Sequence, residues 1–198
     1  MTTDYARGGG SSRRVIRAGG SIASKLVLAA SKAVLFGMRP FIGNRRYTQR
    51  YSSLLRRYGL DIAPYENCGF IATSVNFDSY DYSRMHIGRD VYLTHDVILL
   101  VHDQSVVTAY NSALGPNTQP NDGSFYAPAD ITIGDNVFIG MRSVVLPGTT
   151  IGDDVVVGAG SVVRGNLPAG TVWCGNPARQ IESTAEYLEK LKRRGALA

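Results

Sequence analysis

"IGDNVFIGMRSVVLPGTTIGDDVVVGAGSVVRGNLPAGTVWCGNPARQI", residues 133–181, repeats itself every six residues. In register, Ile133, Ile139, Val145, Ile151, Val157 and Val163 are aliphatic, and Ile133, Ile139, Ile151 and Val157 are each followed by glycine. Four residues after each aliphatic position stand Val137, Ser143, Thr149, Val155, Ser161 and Leu167, mostly small or β-branched. An amphipathic helix recurs at three and four residues and a half-buried strand at two, so neither keeps a six-residue phase through this stretch. A repeated short strand and tight turn does: the aliphatic residue points into a narrow prism, and glycine or a small polar residue makes each corner. The same phase appears upstream at Ile87, Leu93 and Leu99, with Val91 and Val97 four residues on.

The phase breaks between Leu99 and Ile133, a gap of 34 residues that is not a multiple of six. Residues 104–128, rich in Asn, Gly, Pro, Ser and Tyr, read as a loop inserted into the coil, and a loop this long favours binding. After the repeats, Ser183 and Glu186 have capping-box spacing, Leu188 and Leu191 share a side, and Gly195 is a stop, which predicts a carboxy-terminal helix over 183–198. Before them, residues 1–12 are small, polar and Gly-rich and are expected to be disordered without a partner. Residues 13–64 read as a basic helical arm with one helix over 21–36, ending before "GMRP", and a second over about 45–58. The repeat domain is then 65–182, expected to hold three or four coils.

Charge divides the chain in the same place. Residues 1–60 hold 12 of the 21 Lys and Arg side chains and one acid, Asp4, for a net +11, while the remainder is net −6. The pI of about 9.3 therefore describes the arm and not the body. Arginines flank the apolar segment 22–36, so the arm, within residues 1–60, is expected either to touch an anionic membrane at its periphery or to pack on its own body. Arg17, Lys25, Lys32 and Arg39 interrupt the only candidate for a membrane span. "SSRRVIR" has the arginine pair of an export signal, but two lysines follow in the apolar segment. Cys68 and Cys174, far apart and without metal spacing, are expected as packed thiols in a reducing compartment, and the expected location is cytoplasmic, at the inner face of the membrane if the arm binds lipid.

The repeat run together with the terminal "GNPAR" resembles the hexapeptide-repeat acyltransferases, over about residues 71–182. The resemblance implies an all-β core, a left-handed parallel β-helix with three hexapeptides per turn, here carrying a basic amino-terminal helical arm and a short carboxy-terminal helix. It implies acetyl-CoA as acyl donor, a sugar or glycan acceptor, and a homotrimer with active sites between subunits; no nucleic-acid partner and no metal are expected.

The three histidines are read against that pattern. His86, His95 and His102 stand nine and seven residues apart, in different phases of the repeat, so convergence on a zinc ion within one chain is not expected. His86 reads as an exposed strand residue and His95 as a solvated turn residue capped by Asp96. His102 directly precedes the break, in "ILLVHD", which resembles the "ILTHD" segment carrying the catalytic histidine of sugar and polysaccharide O-acetyltransferases, and this implies the general base. A sugar hydroxyl is a weak nucleophile, and an imidazole can take its proton during attack on a thioester and return one to the leaving thiolate. Asp103, adjacent along the strand, points the other way and is expected to fix the loop.

"SVNFDSYDYS" resembles the acceptor-side segment of the family, so Asn76 and Asp78 are implied to face the sugar or steady His102, with a plain polar turn as the open alternative for Asp78. Phe138 is implied as a wall of the acceptor site, and Tyr110 and Tyr126 of the inserted loop as acceptor contacts. By position, Met141, Ala159, Gly160 and Arg164 are implied to line the donor groove, with Arg179 of "GNPAR" near the nucleotide phosphates. Met141 replaces the usual small residue and "VRGN" the usual "VTKD", which implies a narrowed pocket with rearranged charge. Two alternatives stay open: N-acetylation of a nucleotide-linked amino sugar, and a non-catalytic scaffold that binds a membrane or partner.

Overall fold

A computed structural model of the protein describes residues 22–65, 69–78, 81–115 and 127–196, with side chains from Leu26 onward. A helix, α1 (Ile22–Arg57), leads into a coil of short strands. β1 (Asp61–Ile62), β2 (Phe70–Ile71) and β3 (Asn76–Phe77) form the first turn, and β4 (Met85–Ile87), β5 (Tyr92–Leu93) and β6 (Ile98–Leu99) the second. After a helix, α2 (Val106–Leu114), β7 (Ile131–Ile133), β8 (Phe138–Ile139) and β9 (Val144–Val145) form the third. β10 (Thr150–Ile151), β11 (Val156–Val157) and β12 (Val162–Val163) form the fourth, and β13 (Asn166–Leu167) and β14 (Thr171–Gly175) open a fifth. Each strand stacks parallel on the one a turn earlier, giving three faces in the orders β1-β4-β7-β10-β13, β2-β5-β8-β11-β14 and β3-β6-β9-β12. β15 (Ala178–Ser183) folds back antiparallel on β14 and ends the second face, and α3 (Thr184–Arg193) follows. This is the all-β core of a left-handed parallel β-helix.

The repeat is the cause. The third and fourth turns pair eighteen residues apart, Phe138 with Val156 and Val144 with Val162, so there every aliphatic position of the six-residue phase stacks on its equivalent. Ile139, Val145, Val157 and Val163 are fully enclosed, each burial contributing about 1.5–3 kcal/mol. Ser143, Thr149 and Ser161 are also enclosed, their hydroxyls bonded to the carbonyls of Gly158, Leu146 and Gly158 respectively. Between the first and second faces the turns pass so close that a Cβ on Gly134 would lie 2.3 Å from Asp153 Oδ1 and 2.9 Å from its backbone nitrogen. Two residues later the chain turns through left-handed backbone at Asp90, Asn136 and Asp154, residue types that tolerate it.

Several expectations are corrected. The first strand is Asp61–Ile62, so the coil begins inside the segment read as arm, and it has four complete turns and part of a fifth. The first arm helix does not stop before "GMRP": helical backbone continues through Gly37 and Pro40 and breaks at Gly43 (φ 74°, ψ 163°) before resuming to Arg57. Packing of Leu35 and Ile42 on the core opposes the roughly 1 kcal/mol that glycine and roughly 3 kcal/mol that proline cost inside a helix. From Leu26 the helix is long and apolar enough to cross a membrane by length and composition. The insertion is not all loop, since α2 occupies its first third, with none of its residues buried. α3 carries the capping box, with Ser183 Oγ accepting from the Glu186 amide and the Glu186 carboxylate accepting from the Ser183 amide. Cys174 is a half-buried free thiol, and Cys68 lies outside the described residues.

Candidate active site

The corner between the third and first faces is where the insertion leaves and returns, and the Ala129 amide donates to the Val101 carbonyl at 2.9 Å to close its neck. His102 stands at this neck, its side chain 20% exposed. One turn earlier, at the same corner, is Asp78, which is buried. Its amide donates to the Leu99 carbonyl at 3.0 Å, and its Oδ2 accepts from the Val101 amide at 3.0 Å and pairs with His102 Nδ1. A carboxylate can only accept, so Nδ1 carries the hydrogen and the lone pair resides on Nε2. That is the tautomer a general base needs. Tyr82, in a helical turn over Tyr82–Arg84, packs edge-on against Phe77, and burial together with the nearby Asp78 charge pushes its phenol pKa up.

The other histidines occupy other places. His86, in β4, pairs through Nδ1 with Asp61 Oδ2 at 2.9 Å. His95 is an exposed turn residue at the corner between the second and third faces, but its ring partner is Ser74 Oγ, 3.2 Å from Nδ1, and not Asp96. The Asp96 amide donates to the same Ser74 hydroxyl at 3.0 Å. Among the described residues no group of three or more His, Cys, Asp or Glu side chains could hold a metal ion. Asp103 is exposed; hydrogen bonds from Ser105 hold its carboxyl below the usual carboxylate range, and the charges of Arg164 and His102 add to this.

The implied donor residues fall on two edges. Met141 and Ala159–Gly160 lie at the corner between the second and third faces, in successive turns, with the Gly160 amide donating to the Met141 carbonyl at 2.8 Å. Arg179 pairs across from Cys174, which stacks on Gly158, and so lies on β15 at the end of the second face. Arg164 lies at the opposite edge of the third face, the edge of His102, close enough for its charge to act on Asp103. The implied acceptor residues are more dispersed. Asn76 is exposed on β3, two residues before Asp78, and Tyr110 is exposed on α2. Tyr126 lies outside the described residues. Phe138 projects from the second face into a groove of about 510 Å³ beneath α3, lined also by Tyr92, Val156, Tyr187 and Leu188. One chain therefore does not bring Phe138 to His102.

Comparison with known proteins agrees with this architecture. The bacterial transferase hexapeptide family (six repeats) matches residues 130–165. Protein CapG of Staphylococcus aureus is 36% identical over 137 residues, 69% of this chain and 73% of that one. WbbJ of Escherichia coli K12, named as a candidate lipopolysaccharide biosynthesis O-acetyl transferase, is 37% identical over 96 residues, 48% of each chain. The galactoside O-acetyltransferase of Escherichia coli K12 is 37% identical over 111 residues, 50% of this chain and 54% of that one. The chain thus spans about half the length of the last two relatives, and nearly three quarters of the first. With its coil, its six-residue phase and a relative matched over most of both lengths, the chain belongs to the hexapeptide-repeat acyltransferase family.

Proposed function

We propose that the protein transfers an acetyl group from acetyl-CoA to a sugar hydroxyl in glycan or polysaccharide biosynthesis, with His102 as general base. The observation that carries this reading is the Asp78–His102 pair at the neck of the insertion, which fixes the imidazole with Nδ1 protonated. In the proposed reaction Nε2 takes the hydroxyl proton as the sugar oxygen bonds to the thioester carbonyl carbon. The tetrahedral oxyanion collapses with cleavage of the carbon–sulfur bond, and the imidazolium returns the proton to the departing thiolate. Holding hydroxyl, thioester and imidazole together supplies the rest of the acceleration. The row Met141, Ala159 and Gly160, with Arg179 on β15 and Arg164 across the third face, would hold the donor. Asn76, Phe138, Tyr110 and Tyr126 would surround the acceptor.

We also infer a homotrimer. Phe138 and His102 lie on separate faces of one chain, so a site using both needs a neighbouring copy, and cyclic symmetry supplies one at each interface. The relatives named as O-acetyltransferases support a hydroxyl over an amine acceptor.

The test is thiol release from acetyl-CoA across free sugars, nucleotide-linked sugars and lipid-linked oligosaccharides, with mass spectrometry to place the acyl group. An O-acetyl product, and a fall in turnover of about 10²–10⁴ for His102→Ala with donor affinity kept, is the expected outcome. An amide product would replace the hydroxyl acceptor with an amine. Equal losses for His95→Ala and His102→Ala would reject the assignment of the base.

A further inference from the structure

Between Leu26 and Ile42 the only polar or charged side chains of α1 are Ser31, Lys32 and Arg39. All three are half-buried and share the inward side of the helix with Leu28, Leu35 and Ile42, which pack on the core. Lys32 Nζ sits 5.8 Å from the Tyr51 ring centroid. The Arg39 guanidinium sits 5.8 Å from Tyr47 and 5.3 Å from Phe70, and its Nε donates to Asn44 Oδ1 at 2.9 Å. The outward side is Leu26, Val27, Ala30, Val34, Met38 and Phe41, with Phe41 88% exposed. A helix docked on a body in water turns its charges out. This one turns them in, so its outward face is built for an apolar medium.

Charge identifies the medium. No Asp or Glu occurs from residue 5 to residue 60, and beyond the break at Gly43 the exposed side chains include Arg45, Arg46, Arg50 and Arg57. Pairing two copies of this helix in parallel would bring those guanidinium rows together. An anionic bilayer offers the apolar layer and the phosphates side by side.

We propose that α1, as far as Gly43, lies in the plane of an anionic membrane, with its Leu26, Val27, Val34 and Phe41 side in the acyl boundary and the flanking arginines on headgroup phosphates. It lies flat because Leu28, Leu35 and Ile42 hold its other side on the β-helix. This assignment is independent of the proposed acetyl transfer.

The experiment is sedimentation of the full chain with phosphatidylcholine vesicles and with vesicles that also contain phosphatidylglycerol. Binding is expected only with the anionic lipid, falling at least tenfold as salt is raised from about 0.05 M to about 0.5 M. Val34→Asp/Phe41→Asp, both at exposed positions, should reduce it at least tenfold with the thermal unfolding midpoint kept. Arg45→Gln/Arg46→Gln/Arg50→Gln should weaken binding several-fold and flatten its salt dependence. Equal binding to neutral vesicles, no binding, or binding unchanged in the aspartate variant would overturn the proposal. Resistance to alkaline carbonate would show a spanning helix instead, and lipid-free self-association abolished by Val34→Asp/Phe41→Asp would show that a second copy covers the face.

Discussion

Asp78 decides which nitrogen of His102 can act. One oxygen, Oδ2, accepts from both the Val101 amide and His102 Nδ1, so Asn can keep both bonds only with its amide oxygen there, and it then lacks the carboxylate charge that, under the proposed function, stabilises the imidazolium. Asp78→Asn should therefore lower turnover by about 10²-fold or more, distort the pH–rate profile, and leave the unfolding midpoint close to that of the parent. A stability loss with an unchanged pH profile would make Asp78 a structural turn residue. The place of His102 at the neck of the insertion was legible in the sequence because the six-residue phase breaks there. Its partner was less so. The first and second turns pair 25 residues apart at Asp61 and His86 but 22 at Asn76 and Ile98, against eighteen between the third and fourth, so no constant period says which residue of the second turn meets Asp78. Tyr82 beside them was not legible for the same reason.

At the scale of elements, the glycines of the repeat are there because adjacent turns leave no volume for a side chain. A methyl on Gly134 would meet Asp153 backbone nitrogen at 2.9 Å and the Gly152 carbonyl carbon at 2.9 Å, and neither can swing away. Gly134→Ala should cost about 2–3 kcal/mol in denaturant unfolding, whereas Gly148→Ala meets only the Ala129 methyl at 3.7 Å and should be limited to the strain of its φ of 77°. Equal costs would mean that backbone conformation, and not close approach, selects glycine in the coil. The phase thus carried its own mechanism, and the strands could be placed from it. The helices could not be bounded so well. Gly37 and Pro40 read as stop signals, yet the helix continues to Gly43 because Leu35 and Ile42 bind it to the body, a tertiary effect with no local signature. In the insertion, Val106, Val107, Tyr110 and Leu114 carry a helical spacing that the surrounding Asn, Gly and Pro obscured.

For the whole molecule, the prism explains why a single chain is an incomplete enzyme under the proposed function. Met141, Ala159 and Gly160 stand at one edge of the third face and His102 at the other, so in the proposed closed ring one copy's histidine edge would meet its neighbour's row. Periodicity alone predicts the prism but not what meets across it, because the outward residues of each face obey no phase. The arrangement has a quantitative consequence for mixed rings. Ala159 is exposed, so Ala159→Glu should fold while blocking the donor row, and His102→Ala should fold while removing the base. Each alone should be inactive. Mixed in equal amounts by denaturation and refolding, copies assort at random, and a shared site is intact when its histidine comes from one variant and its row from the other. Half of the histidines and half of the rows are sound, so thiol release should recover to about a quarter of the parent rate in a species that light scattering reports as a trimer. If each site were contained in one chain, every chain in the mixture would carry one lesion and the recovered rate would be zero.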